Sequence, residues 1–305
     1  MRTPRSSEFI GPSRREVILL GIGAFAVATA PFLIGRRRHL VRRSVPVMGT
    51  IADIGVVHRD QEYAQAAVDA AIRQLRYVDR TMSVYSESSD VGRANLTATG
   101  DATAITSATA TVVAESLRWA EASDGAFDPC IGQAVNLWDV KNRSTPVVRL
   151  SDAAAAIDLG GIAKGYAVDL AVRSLREWGI EHGLVNAGGD LYAMGESEDG
   201  DPWSVGVRSP QDPTEISYRF ELANAAVATS GDYLQNFRYG GTLYHHLLDP
   251  VTAAPRRTTV HSVTVTADNC MAADAAATAV FGMEHEKAER MLKSAAPRAR
   301  VVTSL

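Results

Sequence analysis

The chain has 305 residues, 46% of them hydrophobic and 22% charged, with a formal net charge of −4. That composition excludes a disordered chain, and the length suffices for one large domain or two small ones. Nine arginines against Glu8 and Glu16 give residues 1–43 a net +7, which leaves −11 for the remainder and argues against a nucleic-acid binder.

Residues 1–43 read as a targeting segment. Ser13-Arg-Arg-Glu-Val-Ile-Leu19 has a twin-arginine pattern, an apolar run extends from Val17 to Ile34, and Arg36-Arg37-Arg38 closes it. Ala26-Val27-Ala28 carries the small–x–small pattern of a cleavage site. The run also approaches the ~20 residues that span a bilayer, so a cleaved signal and a retained membrane anchor both stand. The arginines after the run oppose an anchor whose N-terminus lies inside. The expected location is the extracytoplasmic face of the bacterial plasma membrane, with residues 44–305 as the folded domain.

Gln61 to Arg80 is predicted as a helix, because Ala64, Ala67, Val68, Ala71, Ile72, Leu75 and Val78 share one face. Thr111–Ala122 and Lys164–Trp178 follow as helices, the latter stopping before Gly179. Strands are expected at Leu184–Asn186, Leu191–Met194, Trp203–Arg208, Ile216–Leu222, Ala226–Thr229 and Ser262–Thr266. Phe237–Tyr244 has the pattern of a hairpin about Gly240-Gly241. Met271–Phe281 and Glu284–Lys293 read as helical. Helices and hairpins are mixed without βα alternation, so the predicted class is α+β rather than doubly wound.

Two stretches carry chemistry. Asp158-Leu-Gly-Gly-Ile-Ala-Lys-Gly-Tyr-Ala-Val-Asp169 sets an acid, a glycine pair and a lysine at the start of an amphipathic helix. Such a helix start, with its unpaired N–H groups, suits an anion such as a diphosphate, and Lys164 adds a point charge. A plain turn–helix junction has the same pattern. Asp274 and Thr278 stand four apart, on one helical face. Oxygen ligands at that spacing suit Mg²⁺; an N-cap acid followed by a buried helical threonine, with no metal, has the same spacing. Cys130 and Cys270 are the only cysteines, and either a disulfide or two inert buried thiols fits them.

With Pro46-Val-Met-Gly-Thr50, Gly125-Ala-Phe-Asp-Pro129, Val185-Asn-Ala-Gly-Gly-Asp190, Thr229-Ser-Gly-Asp-Tyr233 and His245-His-Leu-Leu-Asp-Pro250, these stretches occur in an order that resembles the ApbE family, the FAD:protein FMN transferases. The resemblance spans Val45 to the C-terminus. It implies a single α+β domain (T-fold-like) of largely antiparallel sheets with packed helices. It also implies Mg²⁺-dependent transfer of FMN from FAD to a Ser or Thr hydroxyl of an acceptor flavoprotein, with release of AMP. An FAD diphosphatase or an exported FAD-binding protein without turnover are the alternatives.

By that resemblance Asp274, Thr278 and the Gly161 carbonyl hold Mg²⁺, with the Ala277 carbonyl as a further donor. Met48, Tyr85, Ala126, Phe127, Asp128, Asp158, Lys164 and Leu248 match FAD contacts. His246 matches the motif histidine and is the candidate proton acceptor, with a nearby carboxylate or a purely structural histidine as alternatives; Asp274 completes the catalytic pair. Asn186, Gly188, Gly189 and Asp190 read as shape rather than chemistry. The chain departs from the family pattern in a short stretch between Trp138 and Asp158 and in Cys130, where threonine is frequent. Those departures bear on which acceptor is used.

Overall fold

The computed structural model describes residues 17–18, 25–28, 38–97, 102–130, 147–148, 156–212, 214–233, 236–239, 242–245, 247–249, 252 and 254–304. Strands β1 (Val17–Ile18), β2 (Phe25–Ala28), β3 (His39–Val47) and β4 (Thr50–His58) precede helices α1 (Gln61–Met82) and α2 (Asp90–Leu96). β5 (Thr103–Ala104), α3 (Ser107–Ala122), β6 (Val147–Val148) and α4 (Ala163–Glu177) follow. Next come β7 (Gly183–Ala187), β8 (Asp190–Met194), β9 (Trp203–Arg208), β10 (Ile216–Leu222), β11 (Ala225–Gly231), β12 (Asn236–Tyr239) and β13 (Thr242–His245). The chain closes with β14 (Ser262–Ala267), α5 (Cys270–Val280), α6 (His285–Ala295) and β15 (Arg300–Ser304).

The centre is a seven-stranded sheet in the order β15-β14-β11-β8-β7-β4-β3. Every neighbouring pair is antiparallel. Its side chains alternate between two cores. Ile54, Val56, Val185, Tyr192, Ala226 and Ala228 face the helices, where Leu75, Val168 and Ala276 pack on them. Val57, Leu184, Leu191, Ala193 and Val227 face the other way, against Trp203, Val205 and Val207 of a smaller sheet ordered β1-β2-β9-β10. Each fully buried Leu or Val contributes roughly 1.5–3 kcal/mol relative to exposure. The described residues therefore form three layers, with the helices on one face of an antiparallel sheet, an α+β arrangement.

The expected helices stand, with shifted ends. α1 runs to Met82 and stops at Ser83, where the backbone turns extended. α3 starts at Ser107, four residues before the expected Thr111, because Thr106 caps it by accepting the Thr109 N–H. The Phe237–Tyr244 hairpin is present, with Tyr239 opposite Thr242. β1 to β6, α2 and β15 are additions to the predicted elements. The boundary expected at residue 43 falls inside β3, where Arg43 pairs with Asp69. Within the apolar run, Phe25–Ala28 pairs with Val207–Ser204 of β9. Among the described residues no helix is long and apolar enough to cross a membrane. Cys130 and Cys270 are both buried free thiols, so the unpaired reading holds; burial pushes the Cys130 thiol up to about 12.

Asp90, the first residue of α2, ties that helix to α3. One carboxylate oxygen accepts from the Thr106 N–H, the Thr106 hydroxyl and the Thr109 hydroxyl, each at 2.7 Å. The other accepts from Arg93 at 2.6 Å. Burial raises the pKa of this carboxyl, but the hydrogen bonds from Thr109, Thr106 and Arg93 outweigh it and hold the group below the ordinary aspartate range. Its stabilisation is present above the unfolded value near 4 and is lost as pH falls through the folded value. Asp90→Asn is expected to lower stability by about 2–3 kcal/mol at neutral pH. Chemical denaturation from pH 7 to pH 3 checks it: the acid-side decline of the parent protein should be shallower in the variant.

Candidate active site

A cleft of about 490 Å³ opens where two hairpin turns of the large sheet meet the start of α4, the face of α5 and the end of α1. The β3–β4 turn is Met48-Gly49, with φ of 54° and 68°. Positive φ at both positions matches the twist of a two-residue hairpin. For Met48 the left-handed backbone costs roughly 1–2 kcal/mol; the residue it holds there lines the cleft. The β7–β8 turn, Gly188-Gly189, also has positive φ, and Gly188 lines the same cleft.

α1 ends into Ser83-Val84-Tyr85 at the cleft edge. Ser89 fixes that loop by donating its hydroxyl to the Ser83 carbonyl at 2.6 Å while capping α2. Tyr85 is 96% exposed, so its ring stands open to a ligand at the cleft. Ala126, Phe127 and Asp128 form another stretch of lining. Phe127 is buried, and the Asp128 carboxylate accepts from the Cys130 N–H at 2.8 Å. Burial raises the Asp128 pKa against that hydrogen bond. Asp158 accepts from the Gly160 N–H at 2.7 Å, which shapes the glycine turn ahead of α4. Leu248 contributes further lining.

At the base of the cleft, α4 and α5 cross. Asp274 is 3% exposed, and its carboxylate accepts from the Gly165 N–H at 3.0 Å. Lys164 Nζ lies 3.4 Å from both Asp274 oxygens and 2.6 Å from Asp190 Oδ2. Asp190, read from sequence as part of a turn, is instead a buried charge in the site. Burial and the neighbouring Asp274 carboxylate raise its pKa, against the pull of Lys164. Burial works against the Lys164 ammonium, but Asp190 and Asp274 outweigh it and hold its pKa up. With both carboxylates ionised the three groups carry a net −1, which a divalent cation would turn to +1 facing an anionic ligand.

Thr278 Oγ1 lies 3.4 Å from the Gly161 carbonyl oxygen and 3.4 Å from Ser230 Oγ. These are too long for strong O–H···O bonds, so the oxygens keep uncommitted lone pairs. Adjacent ligands of an octahedral Mg²⁺ with bonds near 2.1 Å stand roughly 3 Å apart, so the Gly161–Thr278 pair fits such an ion with little movement. Gly161 permits this: a Cβ there would meet Thr278 Cγ2 at 3.0 Å and Phe127 Cε2 at 3.2 Å. Among the described residues no cluster of three or more His, Cys, Asp or Glu side chains could hold a metal. A cation here would be held by one carboxylate, a carbonyl and a hydroxyl, with the ligand's own oxygens completing the shell.

Eleven of the thirteen residues given a ligand or catalytic role from sequence thus line one cleft. Ala277 is fully buried in α5 and lies outside that lining. His246 lies outside the described residues; Leu247 beside it is buried and lines the cleft. Besides Asp190, sequence reasoning passed over Asp169, whose carboxylate caps α5 by accepting the N–H groups of Cys270 and Met271 at 2.8 and 2.9 Å. Its place at the end of the glycine stretch was the available signal. Arg256 was passed over too, with no motif around it to mark it.

The comparison with known proteins agrees with this geometry. A family model described as the ApbE family matches residues 48–303. The FAD:protein FMN transferase of Vibrio cholerae is 33% identical over 278 residues, covering 81% of this chain and 82% of that protein. That of Treponema pallidum is 28% identical, covering 82% and 81%. The crystal structure of the ApbE protein of Thermotoga maritima superposes with a TM-score of 0.76 at 27% identity, over 86% of this chain and 93% of that one. The flavin transferase ApbE from Vibrio cholerae gives 0.71 at 28% identity, over 84% and 91%. The order of motifs, the cleft they build and these matches over most of the chain have one reading: the chain belongs to the ApbE family.

Proposed function

We propose that the protein is an FAD:protein FMN transferase that uses Mg²⁺, a Ser or Thr hydroxyl as acceptor, and AMP as leaving group. The observation that carries this reading is the meeting of Asp274, the Gly161 carbonyl, Thr278 and Lys164 in one cleft with Met48, Tyr85 and Phe127. The oxygens and Lys164 suit a diphosphate, and the apolar and aromatic lining of the same cleft suits a flavin or adenine ring. Asp274, Thr278 and Gly161 would hold the metal. Bound Mg²⁺ would neutralise charge on the diphosphate and fix its orientation.

In the transfer, the acceptor oxygen forms a bond to the phosphorus of the FMN half. The bond from that phosphorus to the bridging oxygen breaks, and AMP leaves with the oxygen. Lys164 keeps a fixed positive charge beside the developing negative charge. His246 takes the acceptor's proton. Asp158 holds the glycine turn ahead of α4 by accepting the Gly160 N–H, which keeps Gly161 and Lys164 in place at the cleft. The twin-arginine pattern and apolar run support export of the chain to the outer face of the plasma membrane, where the acceptor would be met.

The test is incubation of the full chain with FAD, Mg²⁺ and extracts of exported proteins, read by in-gel flavin fluorescence, intact mass and AMP release. A fluorescent band with an FMN adduct, and its loss on adding EDTA, are expected. AMP without an adduct would make the protein a diphosphatase, and no AMP at all would make it a binding protein.

A further inference from the structure

Arg256 has no part in the chemistry above, yet it reaches three separate segments of the cleft wall. Its Nη1 donates to the Thr278 carbonyl at 3.1 Å and to the Phe281 carbonyl at 2.8 Å. Its Nε donates to the Leu248 carbonyl at 3.2 Å, and its Nη2 donates to the Ala126 carbonyl. α5 ends at Val280, and the last carbonyls of a helix have no partner within it. A cation there satisfies them and complements the negative end of the helix dipole. The guanidinium is a flat fork of five donors at fixed angles, so the oxygens it binds are held in a fixed mutual arrangement.

The three segments are those that matter for the ligand. Thr278 offers its hydroxyl to the cation site and its carbonyl to Arg256. Ala126 and Leu248 offer their carbonyls to Arg256 and line the cleft. We propose that Arg256 is a positioning residue, which sets the flavin-side walls at Ala126 and Leu248 in register with the cation-binding end of α5. The proposal rests on the function given above. Arg256 also lines the cleft; the donors named here are turned to main-chain oxygens, and through them it holds the walls that meet the substrate. Lysine keeps the charge at the helix end but lacks the planar fork, so it separates charge from register.

The experiment compares Arg256→Lys and Arg256→Ala with the parent chain. Three quantities are read: the thermal midpoint without ligands, the FAD dissociation constant from flavin fluorescence with and without Mg²⁺, and the Mg²⁺ concentration for half-maximal transfer. Arg256→Lys should keep a midpoint within a few degrees of the parent. Its FAD dissociation constant and Mg²⁺ requirement should each rise about 10-fold, the scale of one lost charge-assisted hydrogen bond. Arg256→Ala should shift both further. Parental FAD affinity in both folded variants overturns the proposal. Loss of the folded state in both overturns it as well, since Arg256 would then serve the fold alone. If the parent binds FAD but labels no acceptor, the transfer reading fails while the binding comparison still judges Arg256.

Discussion

Asp274→Asn is expected to lower flavin transfer by about 100- to 1,000-fold while leaving the fold intact. The reason lies in what the carboxylate does twice. Oδ2 accepts the Gly165 N–H at 3.0 Å, a role the amide oxygen of asparagine can keep. Oδ1 has Lys164 at 3.4 Å, too long for a strong bond, and is the oxygen that would meet the proposed Mg²⁺. An anionic ligand is needed there, and an amide is a poor one. Stability has an opposite expectation. Without metal, Asp274 and Asp190 repel each other across Lys164, and the neutral amide of the variant would relieve that repulsion while Lys164 keeps its 2.6 Å partner. The midpoint of the ligand-free variant should therefore match or exceed the parent's, and the upward shift on adding Mg²⁺ with FAD should vanish. Calorimetry with and without ligands, beside the labelling assay, reads both effects. Near-parental labelling by the variant would refute the metal assignment.

Gly165→Ala is expected to destabilise the protein by about 3 kcal/mol or more, through overpacking where α4 and α5 cross. A Cβ at this position would lie 2.3 Å from the Cys270 carbonyl oxygen, 2.6 Å from its carbon and 2.8 Å from the Met271 Cα. All three are backbone atoms, so no side chain can swing aside. The helices must part, which stretches the Asp274–Gly165 hydrogen bond and the cap that Asp169 places on α5. The sign makes the test sharp. Alanine is the better helix former by about 1 kcal/mol, so without a close crossing the substitution would stabilise the protein. With roughly 2–4 °C per kcal/mol for a domain of this size, the midpoint should fall by about 6–12 °C. A raised midpoint would remove the crossing from the account of the site.

Helices α1, α3, α4 and α6 were legible in the sequence because each has one buried face. Ala64, Ala67, Val68, Ala71, Leu75 and Val78 recur at helical spacing, and all of them are buried in α1. The central strands were legible as short apolar runs: Leu184–Asn186 lies in β7, Leu191–Met194 in β8, Ala226–Thr229 in β11 and Ser262–Thr266 in β14. Every residue of β7 and β8 is buried, because helices cover one face of the sheet and the smaller sheet covers the other, so these strands read as continuous apolar runs without polar alternation. β3 and β4 escaped: Arg42 and Arg43 resemble the flank of an apolar targeting run, while the pairing that makes them strand residues lies with partners later in the chain. α2 is only seven residues long and is held by Ser89 and Asp90, contacts that no periodicity reveals.

By itself the sequence determined the family, the helix faces, and the list of residues from Met48 to Thr278 that share a cleft, because spacing and motif order are properties of the chain. Tertiary structure alone decided which charges meet. Asp190 turns from a hairpin residue into the counter-ion of Lys164, Asp169 becomes the cap of a helix about a hundred residues away, and Arg256 ties three walls together. The reason is physical: a buried charge takes its meaning from the partner brought within about 4 Å of it, and such partners are set by packing over long sequence distances.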